Sequence, residues 1–287
     1  MTTDLESKTF HQSISLWILG FLIILRIPFL VGIPLVTGKS PTWIEPVFDV
    51  GTYFLTAALI WLARDQLGNF FISPLALWII LIFKPLMPLL IFAMGGSEFP
   101  LSFPNPVSFL YLLISLGLLY ALKRSGWKWK QVTPVEWKWL GWGVLVGLGL
   151  AVLGSYPMAL NLIANRILYS PSLEGLSLAL IRVPQQLGYA AITEEPLFRG
   201  FLWGFLRKLG WNPWVILFSQ TLLFMLGHVY YLKNMPLMFF VVIPISGLGL
   251  GLLAWRSRTI VSSMLAHSMI NAFGILTAQL AGMIIPL

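Results

Sequence analysis

Nine stretches of this chain are apolar over lengths that reach or approach what a bilayer crossing needs, and that repetition limits the fold more than any motif does. A helix rising 1.5 Å per residue needs about 20 residues to cross a hydrocarbon core of about 30 Å. Candidate stretches fall at 14–37, 48–63, 71–94, 107–122, 139–163, 177–206, 213–232, 236–254 and 259–285. Lipid cannot satisfy backbone N–H and C=O groups, so such runs read as helices. The expectation is an all-α polytopic membrane protein, a bundle of about eight or nine transmembrane helices. Composition agrees, with 58% hydrophobic and only 10% charged residues and a mean hydropathy of +0.86, far from soluble averages. The first apolar run, Leu16 to Val36, is longer than a signal-peptide core and has no small-x-small cleavage signature nearby, so it reads as a retained span.

Loop charges orient the bundle. Placing Lys123, Arg124, Lys128, Lys130 and Lys138 in the cytoplasm fixes the other loops by alternation. Eleven Lys and Arg then lie inside, these five with Lys8, Arg64, Arg207, Lys208, Arg256 and Arg258, against three outside, Lys39, Arg166 and Lys233. The chain is accordingly expected to be a multi-pass integral protein of the cell membrane with a cytoplasmic amino end. Its net charge of +8 reads as loop charge facing anionic lipid, and no nucleic-acid partner is expected. Trp127, Trp129, Trp137, Trp139 and Trp142 alternate with lysines beside two spans, an interfacial aromatic belt. The absence of cysteine excludes disulfides, Cys-ligated zinc, iron–sulfur clusters and thiol nucleophiles.

Chemistry in such a chain belongs where ionisable groups sit inside the bilayer, because each costs about 2.5–3.5 kcal/mol to insert. Only Glu194 and Glu195 among the carboxylates, and His228 and His267 among the histidines, lie deep in a predicted span; His11 is in the polar amino-terminal stretch. Counting from cytoplasmic helix ends puts Glu194 at about 18 Å, His228 at about 21 Å, His267 at about 12 Å and Asn271 at about 18 Å. Three helices thus bring polar groups to one level, and a shared cavity opening toward the cytoplasm is expected. His267 and Asn271 are i,i+4 and share a face; Glu195 and Arg199 are likewise spaced to pair, while Glu194 is turned about 100° away. Arg26 and Lys84 have no carboxylate evident at their depth and read as structural, snorkelling or pore-lining groups. Gly-x-Ser-x-Gly, His-Glu-x-x-His and a pair of facing aspartates are all missing. What remains can activate water and hold an oxyanion.

These residues form ordered motifs: Glu194-Glu195-x-x-x-Arg199 with Phe198-Arg199-Gly200, then Phe224-x-x-x-His228, then His267-x-x-x-Asn271. The triple resembles the CAAX protease and bacteriocin-processing (CPBP, or Abi) family of intramembrane endopeptidases, over about residues 177–285. The resemblance implies 177–287 as catalytic helices and 1–176 as further transmembrane helices of one integral domain. It implies that Glu194, assisted by His228, activates water, that His267 and Asn271 stabilise the oxyanion, and that Glu195 and Arg199 organise the site. Metal-free hydrolysis of a membrane-associated peptide or protein, with lipid modification of that substrate as an option, is the reading; zinc on Glu194, His228 and His267 is the alternative. A non-catalytic scaffold or bacteriocin-immunity partner and a proton-coupled transporter are the competing functions. Pro196, just after the glutamates, frees the carbonyl of Ile192 and is expected to kink its span.

Overall fold

The computed structural model describes residues 13–24, 44–87, 106–127, 135–166 and 171–285. Among them every regular element is helical: α1 (Ser13–Ile24), α2 (Ile44–Leu62), α3 (Pro74–Met87), α4 (Pro106–Arg124), α5 (Trp137–Ala164), α6 (173–208), α7 (Pro213–Leu226), α8 (Met238–Ser257) and α9 (Ile260–Gly282). Length and apolarity mark three as crossing helices, α5, α8 and α9, and a fourth if α2 is joined to the Arg64–Phe70 stretch, bent 106° from it. The all-helical class and the membrane-spanning character hold; the count of eight or nine crossings is not confirmed. Arg26, Trp129 and His11 lie outside the described residues.

Helix starts follow local chemistry. Asn212 caps α7 by accepting from the Trp214 N–H, with Pro213 in the first turn, where a missing N–H costs nothing. Thr259 caps α9 by accepting from Val261, and its hydroxyl meets Ser73, the cap of α3, at 3.1 Å. The Ile260 N–H donates to the Phe71 carbonyl. These bonds fix where α9, and with it His267, enters the bundle.

Backbone proximity then sets the α9 register. Along its length α9 packs chiefly on α5. A Cβ on Gly143 would stand 2.7 Å from the Ser262 carbonyl oxygen, and one on Gly147 would stand 2.6 Å from that of Ala266. Glycines one turn apart let the two backbones close on each other, the usual device where lipid offers no hydrophobic drive between helices. His267 follows Ala266 directly, so this contact holds the histidine in place.

α6 is not a regular helix. It widens to π geometry at Leu187–Ala191 and again at Pro196–Leu202, so the interruption expected at Pro196 takes the form of a π segment. Each π turn inserts a residue and rotates the helix beyond it, a distortion concentrated at functional sites.

A second polar cluster ties α2, α3 and α4 together. Lys84 Nζ lies 3.1 Å from Asp49 Oδ1, and the Tyr111 hydroxyl donates to Asp49 Oδ2. Tyr53 exchanges a hydrogen bond of 2.7 Å with Ser115 beside it. The expectation that Lys84 lacks a carboxylate at its depth is therefore corrected: α2 and α3 pack so that Asp49, near one end of its helix, reaches the lysine.

Candidate active site

α6, α7 and α9 bring the sequence-predicted residues to one cavity of about 550 Å³, lined by Glu194, His228, His267 and Asn271 together. Apolar residues of α5 and α8, among them Leu150, Met158, Val242 and Leu250, form much of the remaining wall.

Glu195 and Arg199 stand behind the cavity, both fully buried, with Nη1 3.2 Å from Oε1. Arg199 also donates to the Gly247 carbonyl at 3.4 Å and lies 4.3 Å from the centre of the Phe224 ring. Glu195 does more than neutralise Arg199, because its Oε1 also accepts from His267 Nδ1 at 2.8 Å. That bond fixes the ring and turns Nε2 toward Glu194, whose Oε2 is 3.8 Å away. The result is a continuous row of Arg199, Glu195, His267 and Glu194. With a doubly protonated His267 its formal charges cancel, the condition under which charges persist in a low-dielectric interior.

His228 occupies a turn rather than a helix. α7 ends at Leu226, where the Gly227 and His228 N–H groups bond back to Leu223 and Met225. The apolar stretch 213–232 is therefore not one continuous helix, and Gly227, a residue type that commonly closes helices, was the signal for the stop. The histidine Nδ1 lies 2.8 Å from the Phe224 carbonyl. Since a carbonyl only accepts, Nδ1 carries the proton, and in the neutral ring Nε2 is the acceptor. Phe224 thus serves the motif twice, by its carbonyl under His228 and by its ring against Arg199.

Asn271 lies one turn beyond His267 on α9, exposed in the cavity, and its Nδ2 donates to Gln186 Oε1 at 3.0 Å. Gln186 was not singled out from sequence. Tyr189, Tyr230, Tyr231, Asp49, Thr193 and Ser246 also line the wall and were likewise missed as site residues.

The cavity wall includes Asp49 near the start of α2, Gln186 in the first half of α6, Tyr230 and Tyr231 beyond α7, and Met238 at the start of α8. All belong to the ends opposite Arg64, Arg207 and Arg256. If those basic helix ends face the cytoplasm, this part of the cavity wall lies toward the opposite face of the bundle. Depth counted along a straight helix does not hold for His228, because α7 stops before it. Among the described residues no group of three or more His, Cys, Asp or Glu side chains is placed to hold a metal ion.

No curated protein and no solved structure matches the chain. Residues 177–273, which contain Gln186 and every motif residue from Glu194 to Asn271, match the family model described as type II CAAX prenyl endopeptidase Rce1-like.

Proposed function

We propose that the protein is an intramembrane endopeptidase that hydrolyses a peptide bond with water activated by Glu194. The observation that carries this is the meeting of Glu194, His228, His267 and Asn271, from α6, the turn after α7, and α9, in one largely apolar cavity. Segment 177–287 supplies these groups, while α2 and α5 add wall.

In the reaction a water hydrogen-bonded to Glu194 and to His228 Nε2 attacks the scissile carbonyl carbon. Its proton passes to the Glu194 carboxylate as the new C–O bond forms. The carbonyl oxygen becomes an oxyanion, which accepts from Asn271 Nδ2 and from His267 Nε2 when that ring is protonated on both nitrogens. Collapse of the intermediate breaks the C–N bond, and the proton held on Glu194 goes to the leaving nitrogen, so one water is consumed. Glu195 and Arg199 do not touch the reacting atoms; they hold His267 by the Nδ1 bond. An apolar wall strengthens each of these interactions by excluding water.

The substrate is a peptide or protein segment within the membrane, admitted from the side opposite the lysine- and arginine-rich helix ends. With the basic helix ends cytoplasmic, the orientation that loop charge favours, that is the external face. The test is digestion of a peptide library by the purified protein in detergent, in ¹⁸O-water and after exhaustive chelation. New carboxyl termini carrying one ¹⁸O, formed at an undiminished rate in chelator, are expected. Cleavage lost with the metal and restored by zinc would replace the glutamate mechanism, and no cleavage at all would remove the peptidase reading.

A further inference from the structure

Gln186 lies eight residues before Glu194, and on a regular helix that separation leaves the two side chains about 80° apart. The π segment Leu187–Ala191 lies between them. One inserted residue makes the effective separation seven, two full turns to within about 20°, so Gln186 faces the same cavity as Glu194, which both line. There its Oε1 accepts from Asn271 Nδ2 at 3.0 Å.

The geometry points to Gln186 as a positioning residue for the oxyanion donor, an inference that rests on the role proposed for Asn271. A side-chain amide presents nitrogen or oxygen depending on one soft torsion, and Asn271 is exposed in the cavity rather than clamped by packing. An oxygen turned to the reacting carbonyl would repel the developing charge. Gln186 biases the choice: with its Oε1 accepting one N–H, nitrogen is the inward group and the second N–H is left for the oxyanion. The π turn in α6 therefore sets the orientation of a group on α9, 85 residues away in sequence.

Two measurements test this. In protein labelled with [¹⁵N]asparagine in detergent micelles, the Asn271 side-chain amide is assigned by its loss in Asn271→Ala. Gln186→Met keeps the length of the side chain and removes the amide acceptor. It should move that signal and speed its exchange with water, and a signal unchanged in both respects overturns the contact. On the best library substrate, loss of a complete oxyanion donor costs about 10²–10³ in kcat; loss of its orientation alone should cost about tenfold, with KM within about twofold. In the Asn271→Ala background Gln186→Met should cost nothing more, since there is no amide left to orient. Equal losses in both backgrounds would mean that Gln186 acts through the fold and would overturn the proposal. If Gln186→Met does not fold, Gln186→Leu enters the same cycle. A wild-type protein that cuts no peptide removes the peptidase reading, and the amide signal still decides the Gln186–Asn271 contact.

Discussion

Glu195 accepts from Arg199 and from His267 with both partners buried, so replacing it with glutamine leaves a buried guanidinium without its counterion. Losing one member of such a pair costs about 3–5 kcal/mol. Glu195→Gln is expected to lower the melting temperature in detergent and the yield of folded protein, whereas Glu194→Gln should melt close to wild type. Equal melting temperatures for the two variants would mean that the division of labour between the carboxylates is wrong. The pairing of Arg199 with Glu195 rather than Glu194 was legible in sequence, because adjacent helical residues point about 100° apart and only Glu195 lies one turn from an arginine. The bond from His267 to Glu195 was not, since it spans 72 residues and depends on how α9 docks. Lys84 and Asp49 pair across 35 residues for the same kind of reason, and helical spacing carries no trace of it.

At the scale of elements the α5–α9 contact decides whether His267 stays beside Glu195. Gly147 has no room for a side chain, with the Ala266 carbonyl oxygen 2.6 Å and the Met269 Cβ 2.6 Å from where a Cβ would sit. Overpacking of this kind costs about 1–3 kcal/mol. Gly147→Val is expected to lower both thermal stability and peptide turnover, while Gly149→Val, on a glycine with nothing within 4 Å, should leave both near wild type. Loss of function in both variants would place the effect in helix propensity rather than in the contact. Apolar runs located the long helices α5, α8 and α9, since a bilayer crossing demands a sustained apolar stretch whether it faces protein or lipid. They did not reveal the end of α7 at Leu226 or the π turns of α6, because lipid-facing composition continues through both. The consequence falls on the site: the stop puts His228 in a turn, and the first π segment brings Gln186 to the cavity.

Across the whole molecule two measurements matter, the face that the cavity meets and the cleavage of peptides in it. A chain without cysteine suits accessibility mapping. Tyr230, beside the cavity, and Ser125, after α4 among basic residues, lie at opposite ends of the bundle. In sealed cells an impermeant maleimide should label Tyr230→Cys, and should label Ser125→Cys only after permeabilisation; the reverse pattern would invert the orientation and open the site to the cytoplasm. The mechanism holds for either orientation, because it depends on the one carboxylate that lines the cavity within reach of His267. Its most direct test is the turnover of Glu194→Gln on the best library substrate beside the wild-type protein, with both shown to be folded. The amide keeps the shape of the side chain and removes the base, so kcat should fall by about 10²–10⁴-fold. Cleavage at the wild-type rate would contradict the account.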